Sequence, residues 1–345
     1  MRNTKAMQCQ WKDKIFNITA DEFEKLALEL FRFQYENNDV YQQYVNALQV
    51  QVDTVQSLKQ IPFLPIRFFK SHTVITTSFN TATIFESSGT TGSINSRHFI
   101  KDIDLYKEGL TKGFEFFYGM VKDWCILGLL PSYLERENSS LVYMVNELIQ
   151  QSGHSDSGFY LHEYGQLFSL LTQLEKKKQK TLLIGVTFGL LDFAEAWSSH
   201  FHPGLFDHTF VMETGGMKGR RREMIRQEVH DILKKYFAVP VIHSEYGMTE
   251  LLSQAYSDGD GIFKCPPWMK VLIRDEEDPL TLRMPSANRQ MAYVSGAINV
   301  IDLANVYSCS FIATDDAGKI FPGGNFEILG RMDNSDLRGC SLMVV

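Results

Sequence analysis

The residues best suited to chemistry stand together in one short run, Ser87-Ser88-Gly89-Thr90-Thr91-Gly92-Ser93. Two glycines let the backbone turn tightly and bare successive N–H groups, and the hydroxyls add further donors. A concavity of this kind suits phosphate oxygens. It is not a Walker A loop, because no Gly-Lys-Ser/Thr follows, and it is not a Gly-x-Gly-x-x-Gly dinucleotide turn. A polar surface loop is the plain alternative. A second reactive type is the thiol. The five cysteines (Cys9, Cys125, Cys265, Cys309, Cys340) are widely scattered without a Cys-x-x-Cys pair, which argues against a disulfide framework and against a zinc ribbon. Cys340 differs from the rest in having Arg338 two residues before it and Gly339, which permits a sharp bend, beside it. A nucleophilic cysteine must be a thiolate, and a cationic neighbour favours that form; a free cysteine on a frayed terminus is the alternative.

These groups need elements to hold them. Thr19-Ala20-Asp21-Glu22 fits a capping box, with the Thr19 hydroxyl accepting from the Glu22 amide and the Glu22 side chain returning to the Thr19 amide. Phe23, Leu26, Ala27, Leu30 and Phe31 then recur at helical spacing, and a second short helix is expected over Tyr41–Leu48. Residues 1–75 read as a helical lead-in packed on a larger body. From Thr81 to Glu245, short apolar runs alternate with helix-period segments. The expected strands are Thr83–Glu86, Trp124–Leu130, Thr181–Val186, Thr209–Glu213 and Val239–Ser244. The expected helices are Tyr106–Val121, Ser139–Gln151, Gly165–Lys178 and Arg220–Phe237. Strands without polar alternation are those covered on both faces, and strand–helix alternation implies a parallel, right-handed sheet. The fold class is therefore α/β, with a core over residues 76–252, a smaller β-rich subdomain over 253–329 and a hinge-like tail over 330–345 that carries Cys340.

Composition sets the outer bounds. At about 150 residues per domain, 345 residues suffice for two to three domains and a large core, so no metal or disulfide staple is required. Hydrophobic residues at 44% and charged residues at 22% are those of a globular enzyme rather than a disordered chain. With 34 Lys and Arg against 41 Asp and Glu, the net charge of −7 lacks the basic field that nucleic-acid binding uses. The start has no apolar signal region, and Trp124–Leu130 and Leu182–Leu191 fall short of the roughly 18 residues of a membrane span. The expectation is a cytoplasmic protein with reduced thiols.

The hydroxyl-rich loop is similar to the phosphate-binding loop of the adenylate-forming (acyl-CoA synthetase-like) enzymes, and other motifs of that superfamily follow in order. Tyr246-Gly247-Met248-Thr249-Glu250 resembles Tyr-Gly-x-Thr-Glu, and Thr214-Gly215-Gly216-Met217 resembles the Gly-Gly segment along the adenine. Thr314-Asp315-Asp316-Ala317-Gly318 resembles Thr-Gly-Asp-Leu-Gly, and Gly330-Arg331-Met332-Asp333 resembles the Gly-Arg-x-Asp hinge. Phe31-Arg32-Phe33-Gln34-Tyr35, Pro62-Phe63-Leu64-Pro65-Ile66, Pro131-Ser132-Tyr133-Leu134-Glu135-Arg136, Glu213-Thr214-Gly215-Gly216 and Arg338-Gly339-Cys340 most resemble the acyl-protein synthetases of bacterial luciferase systems. The resemblance implies a large adenylate-forming-type N-terminal domain, with the mobile C-terminal domain and its late lysine absent after the hinge.

It also implies roles. Ser87, Ser88, Gly89, Thr90, Thr91 and Gly92 would hold the β,γ-phosphates of ATP, and Gly215, Gly216 and Tyr246 the adenine. Asp316 would accept the ribose hydroxyls, although Asp-Asp-Ala-Gly is also good turn chemistry. Thr249 would reach the α-phosphate, Arg331 would pair with phosphate or ribose, and Glu250 would ligate Mg²⁺, an ion that takes hard oxygen ligands. Arg97 or His98 would replace the lysine that often follows the loop, or lie at the surface. Two departures stand out: Ser93-Ile94-Asn95-Ser96 replaces the frequent Pro-Lys, and Asp315 stands where Gly is usual, adding negative charge beside the nucleotide.

The function expected is ATP-dependent activation of a carboxylic acid, a fatty acid by resemblance, to an acyl-adenylate, followed by transfer to a thiol for which Cys340 is the candidate. The alternatives are an acyl-CoA or acyl-carrier-protein ligase, or a non-catalytic nucleotide- or acyl-binding subunit. An acyl-reductase or acyl-carrier protein is the partner implied. The acyl pocket is expected near Leu182–Leu191, where Gly185 and Gly189 would leave room for a chain, or else this stretch is ordinary core.

Overall fold

A computed structural model of the chain describes residues 11–87, 94–130, 138–161, 163–200, 205–215, 224–283 and 293–332. They fall into two compact units: Leu110–Met248 with Gln254–Phe263, and Met1–Gly109 with Thr249–Ser253 and Lys264–Val345.

The first unit is the α/β body. Cys125–Leu129, Thr181–Val186, Thr209–Thr214 and His243–Tyr246 run parallel in that spatial order, with the short strand Gly158–Phe159 beside Cys125–Leu129. Cys125–Leu129 and Thr181–Val186 are buried at every position, as strands covered on both faces must be. The helices Ser140–Ser152, Tyr164–Lys176, Thr187–Ala196 and Arg226–Phe237 alternate with them. Ser140–Ser152 starts where the Ser139 hydroxyl accepts from the Val142 amide and stops at Gly153, at φ +62°. Leu167, Leu171 and Leu174 on one helix and Leu233 and Phe237 on another close over Leu127, Leu183 and Val211. Each such side chain contributes about 1.5–3 kcal/mol on burial. The last parallel strand begins at His243 rather than Val239, because Pro240 has no amide to give to a ladder.

The second unit is built on an antiparallel sheet in the order Leu282–Arg283, Met269–Arg274, Val294–Asp302, Phe311–Ile320, Phe326–Arg331, with Leu64–Pro65 added parallel to Phe311–Ile320. The helices Phe23–Asn37 and Asp39–Ala47 share its core: Tyr41 stacks on Phe311 at 6.2 Å, and Phe31 meets the same ring edge-on at 6.3 Å. Gln34, fully buried, donates to the carbonyls of Asn305 and Val306 and accepts from the Ser310 amide. Two strands differ from the short pieces expected: Val294–Asp302 has nine residues and Phe311–Ile320 ten. Thr83–Glu86 joins no parallel sheet and forms a hairpin with Arg97–Ile100. The capping box is half made. The Glu22 carboxylate accepts from both the amide and the hydroxyl of Thr19, the Glu22 amide donates to the Thr19 carbonyl, and the helix begins at Phe23. Among the described residues no helix is long and apolar enough to cross a membrane.

Candidate active site

The strands Thr83–Glu86 and Arg97–Ile100 flank the hydroxyl-rich run in the sequence. Glu86 and Arg97 are register partners. Beyond them the Ser87 amide donates to the Ser96 carbonyl at 3.0 Å, and the Ser96 amide donates to Ser87 Oγ at 2.8 Å. Ser87 therefore closes the neck of the loop. Ser88, Gly89, Thr90, Thr91 and Gly92 lie outside the described residues.

The neck brings Ser96, itself buried, to Glu250. Burial pushes the Glu250 carboxyl up, and it is countered by a hydrogen bond to Ser96 and by the positive charges of Arg331 and Lys70. Glu250 supplies one deeply set carboxylate, and Mg²⁺ is commonly held by one or two carboxylates and the phosphates of its substrate; the charges of Lys70 and Arg331 suit those phosphates. Among the described residues no group of three or more His, Cys, Asp or Glu could hold a metal by itself.

His98 is neither a surface residue nor a free cation. It is 1% exposed, Nδ1 donates to the Thr249 carbonyl at 2.8 Å, and Nε2 lies 3.0 Å from Asn305 Oδ1. Burial brings the imidazole down to about 4, against the contacts with Thr249 and Asn305, which favour the charged ring. Asn305 in turn donates to the Glu250 carbonyl at 2.8 Å. Just beyond, Asp302 accepts from the amides of Leu252 and Ser253 at 2.7 and 3.0 Å and from the Ser253 hydroxyl at 2.6 Å. No local pattern marks Asp302 or Asn305, because their partners are distant: Asp302 meets Leu252 across 50 positions, and Asn305 meets Glu250 across 55 and His98 across 207. Arg97 is exposed and rests on the Phe99 ring at 5.7 Å.

Asp316 sits in the strand Phe311–Ile320, not in a turn, with Arg331 as its register partner and Nε 3.9 Å from its carboxylate. The charge of Asp315 is met by Arg67 at 3.0 Å, an exposed pair worth no more than about 1 kcal/mol but sufficient to balance the extra acid. Beneath both, Arg274 donates to the carbonyls of Ile298 and Thr314 at 2.6 Å and to Asn299 Oδ1 at 2.7 Å, holding the strand that bears them.

Tyr246, Gly247 and Met248 belong to the α/β unit, as do Thr214 and Gly215. Gly216 lies outside the described residues. Gly215 is at φ +72°, and its carbonyl accepts from Thr187 at 3.1 Å. Burial pushes Glu213 up, but His230, Arg226 and Thr187 outweigh it and hold the carboxyl below its usual range. Glu245 on the next strand has no such cation. It accepts from the Thr214 hydroxyl, and burial, reinforced by the Glu213 charge, pushes it to about 7. A Cβ at position 247 would crowd Glu245 Oε1, so a larger residue there would require the Glu245 carboxylate to move. Tyr246 is buried with its ring 6.0 Å from that of Phe263. Gly185 leaves no room for a chain: a Cβ there would meet the Leu129 carbonyl and Leu190 at 2.9 Å, so this glycine serves packing.

Glu245 makes stability depend on pH. The unfolded chain releases this proton near 4.5 and the folded chain only near 7, so its contribution is full below 4.5 and is lost as the pH rises to about 7. Glu245→Gln, which keeps an acceptor for Thr214, removes that slope and stabilises the protein above neutrality by about 3 kcal/mol at 1.36 kcal/mol per unit. Urea unfolding at pH 5 and pH 8 measures it; identical slopes in mutant and wild type would refute the assignment.

A family model described as Acyl-protein synthetase, LuxE matches residues 13–345. No curated protein matches the sequence. Among solved structures, the chain is similar to ATP-bound MatB from Rhodopseudomonas palustris, with a TM-score of 0.53 and 18% identity over 73% of this chain and 48% of that one. It is also similar to the luciferase-like enzyme of the nonluminescent mealworm Zophobas morio, with a TM-score of 0.51 and 15% identity over 75% of this chain and 60% of that one. The chain thus spans about half of the length of MatB. At these identities the likeness is one of fold, and it is the α/β architecture that the motifs implied.

Proposed function

The chain belongs to the acyl-protein synthetase family LuxE, and from that premise we propose that it activates a carboxylic acid with ATP and passes the acyl group to a thiol. In the first step a carboxylate oxygen attacks the α-phosphorus. The bond from that phosphorus to the bridging oxygen breaks, pyrophosphate leaves, and an acyl-adenylate remains. In the second step a thiolate attacks the acyl carbon, the carbon–oxygen bond to AMP breaks, and a thioester forms. Neither step asks the protein for covalent work at phosphorus; positioning and charge neutralisation are what it contributes. We propose a long-chain fatty acid as the substrate, Cys340 as the first thiol, and an acyl-reductase as the protein that consumes the product.

The observation that carries this reading is the buried Glu250 beside Ser96 at the neck of the Ser87–Ser96 loop, within the field of Lys70 and Arg331. Bound Mg²⁺ would supply charge neutralisation for the phosphates, with Glu250 as its protein ligand. Ser87 to Gly92 are assigned to the β,γ-phosphates, Thr249 to the α-phosphate, Asp316 to the ribose, Arg331 to phosphate or ribose, and Gly215, Gly216 and Tyr246 to the adenine. Exchange of labelled pyrophosphate into ATP tests the function. The protein should catalyse it only when a carboxylic acid is present, and a chain-length series identifies which acid. Nucleotide binding without exchange for any acid would make the chain a binding subunit.

A further inference from the structure

We propose that His98 and Asn305 are positioning residues that set the Thr249-Glu250 turn in the geometry needed to hold a divalent cation. The inference rests on the reading of Glu250 as the metal ligand. Both side chains are almost completely buried, at 1% and 0% exposure, and, while the His98 ring packs edge-on against Phe69 at 5.7 Å, each side chain gives one polar atom to the turn. His98 Nδ1 donates to the Thr249 carbonyl at 2.8 Å, and Asn305 Nδ2 donates to the Glu250 carbonyl at 2.8 Å. His98 Nε2 lies 3.0 Å from Asn305 Oδ1, so the two side chains are also neighbours. Asn305 is itself fixed, since its carbonyl accepts from Gln34 Nε2 at 2.9 Å and its amide donates to the Asp302 carbonyl at 3.1 Å.

The consequence for the hairpin is direct. His98 stands on the strand Arg97–Ile100, two residues after Ser96, and Ser96 is the residue that hydrogen-bonds the Glu250 carboxylate. The short stretch from Ser96 to His98 therefore grips the turn twice, through Ser96 at the side chain of Glu250 and through His98 at the backbone before it. A ligand held at both its carboxylate and its backbone keeps its oxygens aimed, which is how groups outside a metal's ligand shell raise affinity.

The test uses Mn²⁺, which also prefers oxygen ligands, as a spectroscopic probe in place of Mg²⁺. Free Mn²⁺ is counted by electron paramagnetic resonance in the presence of saturating non-hydrolysable ATP analogue. His98→Leu should raise the Mn²⁺ dissociation constant at least about tenfold. His98→Asn, whose amide can occupy the place of Nδ1, should stay within about threefold of wild type, although both variants lose the ring and both lower the melting temperature. The isosteric Asn305→Asp, which turns an oxygen toward the Glu250 carbonyl, should weaken Mn²⁺ as His98→Leu does and decides the matter if His98→Leu fails to fold. Equal Mn²⁺ affinity in wild type, His98→Leu and Asn305→Asp would overturn the proposal, as would equal losses in His98→Leu and His98→Asn. Mn²⁺ binding that depends on His98 in a protein without acid-dependent exchange would sustain this inference while defeating the proposed function. Exchange in wild type with unchanged Mn²⁺ affinity in the variants would do the reverse.

Discussion

Glu250→Gln slows acid-dependent ATP–pyrophosphate exchange by about 100- to 1,000-fold, a loss of roughly 3–4 kcal/mol of transition-state stabilisation of the size seen when one preorganised electrostatic contact is removed. The fold survives the change. Gln has the shape of Glu, its side-chain oxygen still accepts from the Ser96 hydroxyl, and the neutral group no longer bears the burial that pushes the carboxyl up. Stability therefore holds steady or rises while activity collapses, a combination that mere damage to the site would not give. What is lost is the negative charge that gathers a divalent cation and, through it, the phosphates. Excess Mg²⁺ recovers part of the rate if affinity is the cause. Exchange and thermal melting on the same preparation measure both effects, and near-normal exchange in the mutant would remove Glu250 from the metal.

Much of the body was readable because burial on both faces leaves a mark that needs no partner. Thr181–Val186 is apolar along most of its length and buried throughout, and its apolar run has the same bounds as the strand. The helix Tyr164–Lys176 follows its own leucine stripe in the same way. The errors fall where one residue vetoes the pattern around it, as Pro240 does in the apolar run before His243, or where the partner of a strand sets its role. Thr83–Glu86 reads as one more strand of an alternating series, and only the return strand Arg97–Ile100 makes it a hairpin.

The site divides along a similar line. Ser87, Thr249, Glu250, Asp316 and Arg331 stand in recognisable motifs, so they could be named without coordinates. His98, Asp302 and Asn305 could not. Periodicity records which face of an element is covered, not which distant carbonyl a buried polar group will meet. Gln34 joins Ser310 across 276 positions, and Asn305 joins Glu250 across 55. Glu245 is hidden from sequence for a related reason. Its high affinity for a proton comes from having Glu213 on the adjacent strand while His230 and Arg226 are spent on Glu213.

Cys340→Ser should leave acid-dependent pyrophosphate exchange intact and abolish the hydroxylamine-labile labelling of the protein by labelled acid and ATP. The chemistry of the other thiols argues for this residue. Burial pushes Cys125 up to about 11 and Cys265 and Cys309 up to about 12, so all three are thiols, not thiolates, at neutral pH. A thiol attacks an acyl-adenylate poorly, because the nucleophile is the thiolate. Cys340 and Cys9 lie outside the described residues. Of these two, Cys340 stands two residues from Arg338 and Cys9 two from no arginine. A nearby guanidinium favours ionisation, and the permanently charged group does so across the whole physiological range. Serine keeps the size of the side chain and removes the ionisable sulfur, so adenylation, which ends before the thiol is needed, continues. The acyl-adenylate then has no acceptor on the chain and is released or hydrolysed, and the stoichiometry of bound label falls from about one per protein to background. Cys9→Ser labels as wild type does. Undiminished labelling of Cys340→Ser would move the acceptor to another residue of this chain.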